Sequence, residues 1–177
     1  MSKFILGLDV STSRVGVTIL NSNADLIDCQ AIKLNSKDEL EDRCDQLKNY
    51  LQLNYNKYYI KEVYIESPFV MFSGGKTTAM TMAKLQRFNG MVSYMVRELY
   101  GVIAAPIAAN KARGLVGLKI KRGEKTKLKV IEWVQGEYPK DFIVEYTRHG
   151  NPKPGTDDKA DSVVIARAGL LMEKEKK

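Results

Sequence analysis

The sequence predicts a single α/β domain in which a mixed β-sheet, with its first three strands antiparallel, is flanked by helices. Three observations lead to this fold class. The chain opens with three β-like segments joined by short connections, later apolar residues recur at helical spacing, and 177 residues fit one domain of ordinary size. Hydrophobic residues make up 44% of the chain and charged residues 28%, which is enough apolar material to bury a core.

The first three β-like segments predict an antiparallel meander. Residues 4–10, which read FILGLDV, are almost all apolar, as expected of a central buried strand. Residues 15–20 follow after a short polar turn, and residues 26–34 form the third segment. Connections of this length join antiparallel neighbours.

A helix, a fourth strand and a long helix are predicted to follow. Ser36 fits a helix N-cap because Glu39, three residues later, completes a capping box. Apolar residues then recur at helical spacing over residues 40–51. Residues 63–66 are β-like, and residues 77–100 are strongly helical.

The last part of the chain predicts a short strand over residues 102–107 and helices over residues 125–133 and 159–172. Residues 174–177 are all charged and are expected to form a solvated tail. The predicted domain therefore covers residues 1–173.

The long helix predicted over residues 77–100 has two apolar stripes. The first contains Met82, Leu85, Val92, Val96 and Leu99. The second contains Met80, Phe88, Met91 and Met95. One stripe is enough to pack on a sheet, and methionine and aromatic side chains suit a protein interface. The second stripe favours a homodimer through this helix, the alternative being a helix buried on two sides within one domain.

The charge of the chain indicates an anionic partner. Lys and Arg number 28 against 21 Asp and Glu, which gives a net charge of +7 and a pI near 9.3. Nucleic acid is the first candidate for such a partner, although a basic protein can also be merely soluble.

Several classes of protein do not fit the sequence. There is no run of about 18 apolar residues, so no membrane span is expected, and the first residues do not resemble a signal peptide. Cys29 and Cys44 have no metal-ligand spacing and indicate reduced thiols in a cytoplasm-like compartment. His149 is the only histidine in the sequence, so an enzyme built on this chain must use mainly carboxylates and lysines.

Four carboxylates are candidates for one site. Asp9 and Glu66 each stand near the end of a predicted strand. Asp158 and Asp161 are three residues apart at the start of the last helix and project from one face. If the first and fourth strands are neighbours, all four meet at one edge of the sheet. Three of them also have a structural explanation: Asp9 can cap a turn, Asp158 (or Asp157) can serve only the helix dipole, and Glu66 can be an ordinary strand-end charge.

Such a cluster repels itself unless cations neutralise it. Oxygen ligands suit Mg²⁺ or Mn²⁺, and two ions about 3.5–4 Å apart stabilise both the attacking and the leaving oxygens of phosphodiester hydrolysis. The set of four therefore predicts a nuclease with two ions per active site.

The ordered set of motifs resembles the RuvC family of Holliday-junction resolvases, which have a ribonuclease H-like fold. The motifs are residues 5–16 (ILGLDVSTSRVG), 65–69 (IESPF), 82–90 (MAKLQRFNG) and 158–166 (DKADSVVIA). Asp161 is followed by Ser-Val rather than by alanine-rich residues, and residues 138–156 are longer than in bacterial members. These departures predict a divergent, phage-type relative.

The resemblance implies a structure-selective DNA endonuclease. A homodimer would hold a four-way junction, or another branched DNA, and make paired symmetric nicks that leave a 5′-phosphate and a 3′-hydroxyl. Asp9 would bridge both ions, and Glu66, Asp158 and Asp161 would complete the ligands, with adjacent Asp157 as the alternative to Asp158.

A basic segment is the predicted DNA-binding surface. Residues 119–129 contain six basic side chains, which suits phosphate contacts that carry no sequence information. Lys125 matches a lysine that the family needs for activity, and Phe69 matches its stacking aromatic, with Phe72 nearby. Lys127 and Lys129 are interpreted as a solvated helix face. The remaining DNA-binding candidates are Lys111, Arg113, Lys119, Lys121 and Arg122.

Three other functions are alternatives to a junction endonuclease. A ribonuclease H acting on RNA–DNA hybrids has similar carboxylates, but its glutamate is expected on a helix, whereas Glu66 follows a β-like run. An actin-like or sugar-kinase-like ATPase needs two such domains, and this chain is too short for them. A non-catalytic protein that binds branched DNA remains an alternative.

Overall fold

A mixed five-stranded sheet forms the centre of the molecule in a computed structural model that describes residues 2–68 and 78–175. In chain order the strands are β1 (Phe4–Val10), β2 (Arg14–Asn21), β3 (Leu26–Lys33), β4 (Ile60–Glu66) and β5 (Ala105–Ile107). They lie in the order β3-β2-β1-β4-β5. The first three strands are antiparallel, whereas β4 runs parallel to β1 and β5 runs parallel to β4. The predicted fold class is confirmed.

Five helices cover the two faces of the sheet. They are α1 (Leu40–Tyr55), α2 (Ala79–Tyr100), α3 (Ala109–Leu115), α4 (Thr126–Glu137) and α5 (Thr156–Glu175). One apolar cluster joins α1 and α2 to one face, and a second joins α3, α4 and α5 to the other. Within the described part of the chain, no helix is long and apolar enough to cross a membrane.

The start of α1 differs from the prediction. The helix begins at Leu40, Glu39 takes the N-cap position without a side-chain hydrogen bond, and Ser36 is not the cap. The side chain of Arg43, which is only 4% exposed, explains the late start. Its Nη2 donates to the Ser36 carbonyl at 2.6 Å, so the segment before the helix wraps around the guanidinium instead of entering the helix.

The two apolar stripes predicted for the long helix are also redistributed. Phe88 and Met95, which were assigned to the outward stripe, are 0% and 5% exposed and pack in the core with Val92. They share that face because they lie four residues before and three residues after Val92. Because these two side chains are buried, the outward surface of α2 is less apolar than the second stripe predicted. Met80, from the same stripe, is 81% exposed.

Helix α5 lies unusually close to β1 and β2 because both strands carry a glycine beneath it. A Cβ atom on Gly16 would lie 1.9 Å from the carbonyl oxygen of Asp158, and one on Gly7 would lie 2.5 Å from that of Ser162. A side chain at either position would push the helix off the sheet. The two glycines therefore fix where the start of α5 lies above the strands.

Candidate active site and DNA-binding surface

Asp9 and Glu66 lie side by side at one end of the sheet, which we call the carboxylate end. The parallel pairing of β1 with β4 reaches Leu8 and Ile65, so the next residue on each strand is one of the two acids. Side chains alternate along a strand, and Gly7 and Tyr64 face α5. Asp9 and Glu66, two residues further on, therefore face α5 as well.

The start of α5 brings the other acids over this pair. Gly155, with φ of 97°, turns the chain into the helix, and Asp158 and Asp161 follow one turn apart. Gly16 pairs with Asp9 across the β1–β2 ladder and touches the backbone of Asp158. The predicted convergence of two strand ends and one helix start is present in the structure.

Burial and mutual repulsion raise the pKa of all four carboxyls. The pKa of Asp9 lies well above its ordinary value because of burial first, and then because of the charges of Glu66 and the α5 aspartates. Burial and the Asp161 charge raise the pKa of Glu66 to about 7. Burial raises the pKa of Asp161 to about 6 against the opposing charge of Arg113, and burial also raises that of Asp158. The acids are thus close enough to sense one another.

Three cations border the cluster from three different elements. Arg14, at the start of β2, places Nη1 3.5 Å from Oδ2 of Asp158. Lys127, in the first turn of α4, forms an ion pair with Asp157. Burial acts to raise the pKa of Asp157, but the hydrogen bond and charge of Lys127, together with backbone hydrogen bonds, lower it overall.

Arg113 on α3 is the third cation. Its positive charge opposes the pKa increases of both Glu66 and Asp161, so it lies on their side of the cluster. Asp157 and Asp158, although adjacent in the chain, form ion pairs with different cations.

The residues of the predicted basic surface are solvent-exposed but lie on more than one element. Lys125 occupies the N-cap position of α4 and is exposed, two residues before Lys127. The other predicted contacts on α3 and on the connection to α4 are also exposed, and these are Lys111, Lys119, Lys121 and Arg122. Phe69 and Phe72 lie outside the described residues.

Several residues that build the site were not identified from the sequence. Lys127, interpreted as solvated helix surface, is indeed 74% exposed, but it is also paired with Asp157, which the sequence did not indicate. Arg14 lies within the motif of residues 5–16, which does not indicate its contact with Asp158. Asn89 on α2 donates through Nδ2 to the carbonyl of Glu66 at 3.0 Å. Glycine in the interior of a strand was the available signal for Gly7 and Gly16.

Ser162, which replaces the alanine expected after Asp161, has a partner on the sheet. Its Oγ lies 2.7 Å from Oγ1 of Thr18 on β2, and it also donates to the carbonyl of Lys159. Both hydroxyl-bearing residues are fully buried. The serine that departs from the family pattern thus forms a hydrogen bond that joins α5 to β2, next to the glycine contacts.

The donor set has the chemistry of a hard-cation site, since all four acids offer oxygen. Their placement is more open than a formed metal site. In residues 2–68 and 78–175, no three His, Cys, Asp or Glu side chains stand close enough to hold an ion as placed.

Fold and site together define a ribonuclease H-like α/β domain with carboxylates at one end of its sheet. No protein-family model and no curated protein sequence matches the chain. Solved structures do match, and the chain has the fold of the RuvC-like Holliday-junction resolvases.

Three of these structures span nearly the whole chain. Thermus thermophilus RuvC in complex with a Holliday-junction substrate has a TM-score of 0.71 at 14% identity, over 98% of this chain and 96% of that chain. The yeast mitochondrial Holliday-junction resolvase Ydc2 has a TM-score of 0.62 at 16% identity, over 97% and 79%. The fowlpox virus resolvase with Holliday-junction DNA has a TM-score of 0.50 at 14% identity, over 98% and 99%. At these identities the likeness establishes the fold.

Proposed function

We propose that the protein is a metal-dependent, structure-selective DNA endonuclease that resolves four-way junctions by paired symmetric nicks. The observation that carries the proposal is the convergence of Asp9, Glu66, Asp158 and Asp161 at the carboxylate end of the sheet. The fold shared with resolvases that were solved on junction DNA gives this cluster its substrate class.

The carboxylates are proposed to hold two Mg²⁺ or Mn²⁺ ions. Four buried acids that raise one another's pKa are costly to ionise together, and divalent cations offset that cost. The side chains then need to draw closer than they stand here. When bound, such ions activate water and neutralise charge on the phosphate, giving a 5′-phosphate and a 3′-hydroxyl.

Asp158 is the better third ligand, and Asp157 has a different role. Lys127 neutralises Asp157 and lowers its pKa, whereas Asp158 keeps a raised pKa and has only the longer contact to Arg14. Asp157 holds the Lys127 ammonium at the edge of the cluster, where it can meet a phosphate oxygen. Arg113 supplies a second positive charge beside Glu66.

Metal-dependent nicking of a labelled four-way junction tests the proposal, with linear duplex and an RNA–DNA hybrid as controls. The Asp9→Asn variant is expected to lose more than about 10³-fold in nicking rate while it still binds the junction. Chelation of the metal should have the same effect. Full nicking by the variant would rule out this site, and cleavage of the hybrid alone would identify a ribonuclease H. Binding without cleavage in either metal would identify the non-catalytic alternative.

The active form is proposed to be a homodimer through α2. A groove of about 590 Å³ runs between α1 and α2, with Met91 and Tyr94 among its lining residues, and Tyr94 is 65% exposed. A second copy would cover this aromatic side chain and place two active sites on one junction.

Substitution of the groove tyrosine tests the dimer. Tyr94→Asp is expected to raise the dimer dissociation constant about 30-fold, the scale of losing an interface hot spot. Leu53→Asp is the control, because Leu53 is 85% exposed on α1 and does not line the groove. Analytical ultracentrifugation measures both variants, and equal behaviour of the two would exclude this face as the interface.

A further inference from the structure

Residues 145–153 form a small hairpin directly before α5. Tyr146 and Pro152 are bridged across it, Lys153 N donates to the Glu145 carbonyl at 2.8 Å, and Thr147 N donates to the Asn151 carbonyl at 2.8 Å. These bonds join the two sides of the hairpin. The excursion is therefore an ordered arm.

The base of this hairpin is fixed at the carboxylate end of the sheet. A Cβ atom on Gly155 would lie 3.0 Å from Cβ of Ala31 and 3.3 Å from Cδ of Arg14, so the chain passes tightly over β3 and the start of β2. Thr156 Oγ1 donates back to the Lys153 carbonyl at 2.8 Å. The arm and the aspartates at the start of α5 thus form one continuous unit.

The exposed side chains of the arm suit a nucleic acid. Tyr146 is 53% exposed, and Arg148 and His149 are exposed in the turn. Arg148 donates through Nε to Nε2 of His149 at 3.0 Å. Among the described residues its two terminal nitrogens have no protein partner, so they remain available to an oxygen-rich anion. A guanidinium fork matches phosphate, and an aromatic ring beside it can stack on a base or sugar.

Resting on the proposed function, we infer that residues 145–153 are a second DNA-binding element, which contacts a duplex arm of the junction on the β3 side of the active site. The predicted basic residues on α3 and before α4 belong to other elements. Arg148 binds a phosphate, and Tyr146 packs on the adjoining sugar or base. A branched substrate would then be held on both sides of the carboxylates, which a linear duplex does not require.

Equilibrium binding of a fluorescent four-way junction without metal tests the inference, over a series of salt concentrations. The Tyr146→Ala/Arg148→Ala variant is expected to bind the junction about tenfold more weakly, with a much smaller change for linear duplex. Its salt dependence should lose about 0.9 in slope, which corresponds to one phosphate contact. Arg148→Lys should keep the slope and lose part of the affinity.

Lys57→Ala is the matched control, because it removes an exposed positive charge from the loop that leads into the start of β4, away from the carboxylate end. Unchanged junction affinity and slope in the double variant, at an unchanged melting temperature, would overturn the inference while leaving the nuclease intact. Failure of the wild-type protein to bind junctions would refute the proposed function, and the hairpin's role would fall with it.

Discussion

Two charged side chains near the β1–β2 turn have opposite environments. Arg43 is almost completely buried, and its guanidinium donates to the carbonyls of Thr12, Ser36 and Asp38 at 2.6–3.0 Å. Asp9, three residues before Thr12, is surrounded by acids that raise its pKa. All three guanidinium nitrogens of the cation donate hydrogen bonds, whereas the anion lies among like charges. One charge thus holds the turn in place, and the other is disfavoured in the folded protein by burial and by its neighbours.

The first prediction removes the satisfied charge. Arg43→Met keeps the length of the side chain and abolishes three hydrogen bonds, so the free energy of unfolding should fall by about 2–4 kcal/mol. Urea denaturation measures the loss. Arg97→Met is the control, because Arg97 is exposed on α2. Equal stability of the two variants would mean that Arg43 does not anchor the turn.

The second prediction compares two lysines at the start of α4. Lys127→Ala should slow junction cleavage about tenfold, because it removes a charge that is paired with Asp157 at the cluster. Lys125→Ala should cost less, since Lys125 is exposed at the N-cap position. Single-turnover rates at saturating enzyme separate this effect from weaker binding. A larger loss for Lys125→Ala would make Lys125 the lysine that acts on the phosphate.

The third prediction removes the unsatisfied charge. In chelator at pH 8, Asp9→Asn should raise the free energy of unfolding by about 1 kcal/mol, because a buried charge is removed and its repulsion with Glu66 and Asp161 is relieved.

The pH dependence of wild-type stability follows from the burial of these carboxyls and from the same repulsion. The pKa of Glu66 is raised from an ordinary 4.5 to about 7 and that of Asp161 from 3.8 to about 6, so the folded state binds more protons than the unfolded state between about pH 4 and 7. Metal-free wild-type protein should therefore become less stable as the pH rises through 6 to 7. Thermal melts from pH 5 to 8 measure both effects. A variant no more stable than wild type at pH 8 would show that the buried Asp9 charge and its repulsion do not destabilise the folded protein.

The sheet and the four acids could be predicted because their signals are local. Apolar runs of strand length with an acid at the end, such as FILGLDV, specify both the strand and the position of Asp9. The partners of the acids come from elements far apart in the chain. Lys127 on α4 meets Asp157 on α5 only after both helices pack on the sheet, and no periodicity reports such a contact.

The errors have the same physical origin. Ser36 has the local pattern of a cap, but the buried Arg43 side chain takes its carbonyl, and tertiary structure overrides the motif. The helix that carries Phe88 is apolar on two sides, and the side that packs inward depends on where the sheet lies. Helix α3 spans only Ala109–Leu115, which is too short for a clear apolar period.

The contact of α5 with Gly7 and Gly16 has a consequence for how such a site survives mutation. The seat of the helix is set by backbone against backbone, so the positions of Asp158 and Asp161 above Asp9 depend little on which side chains fill the surrounding core. Most core side chains can then be replaced while the geometry of the site is retained, provided that positions 7 and 16 remain glycine.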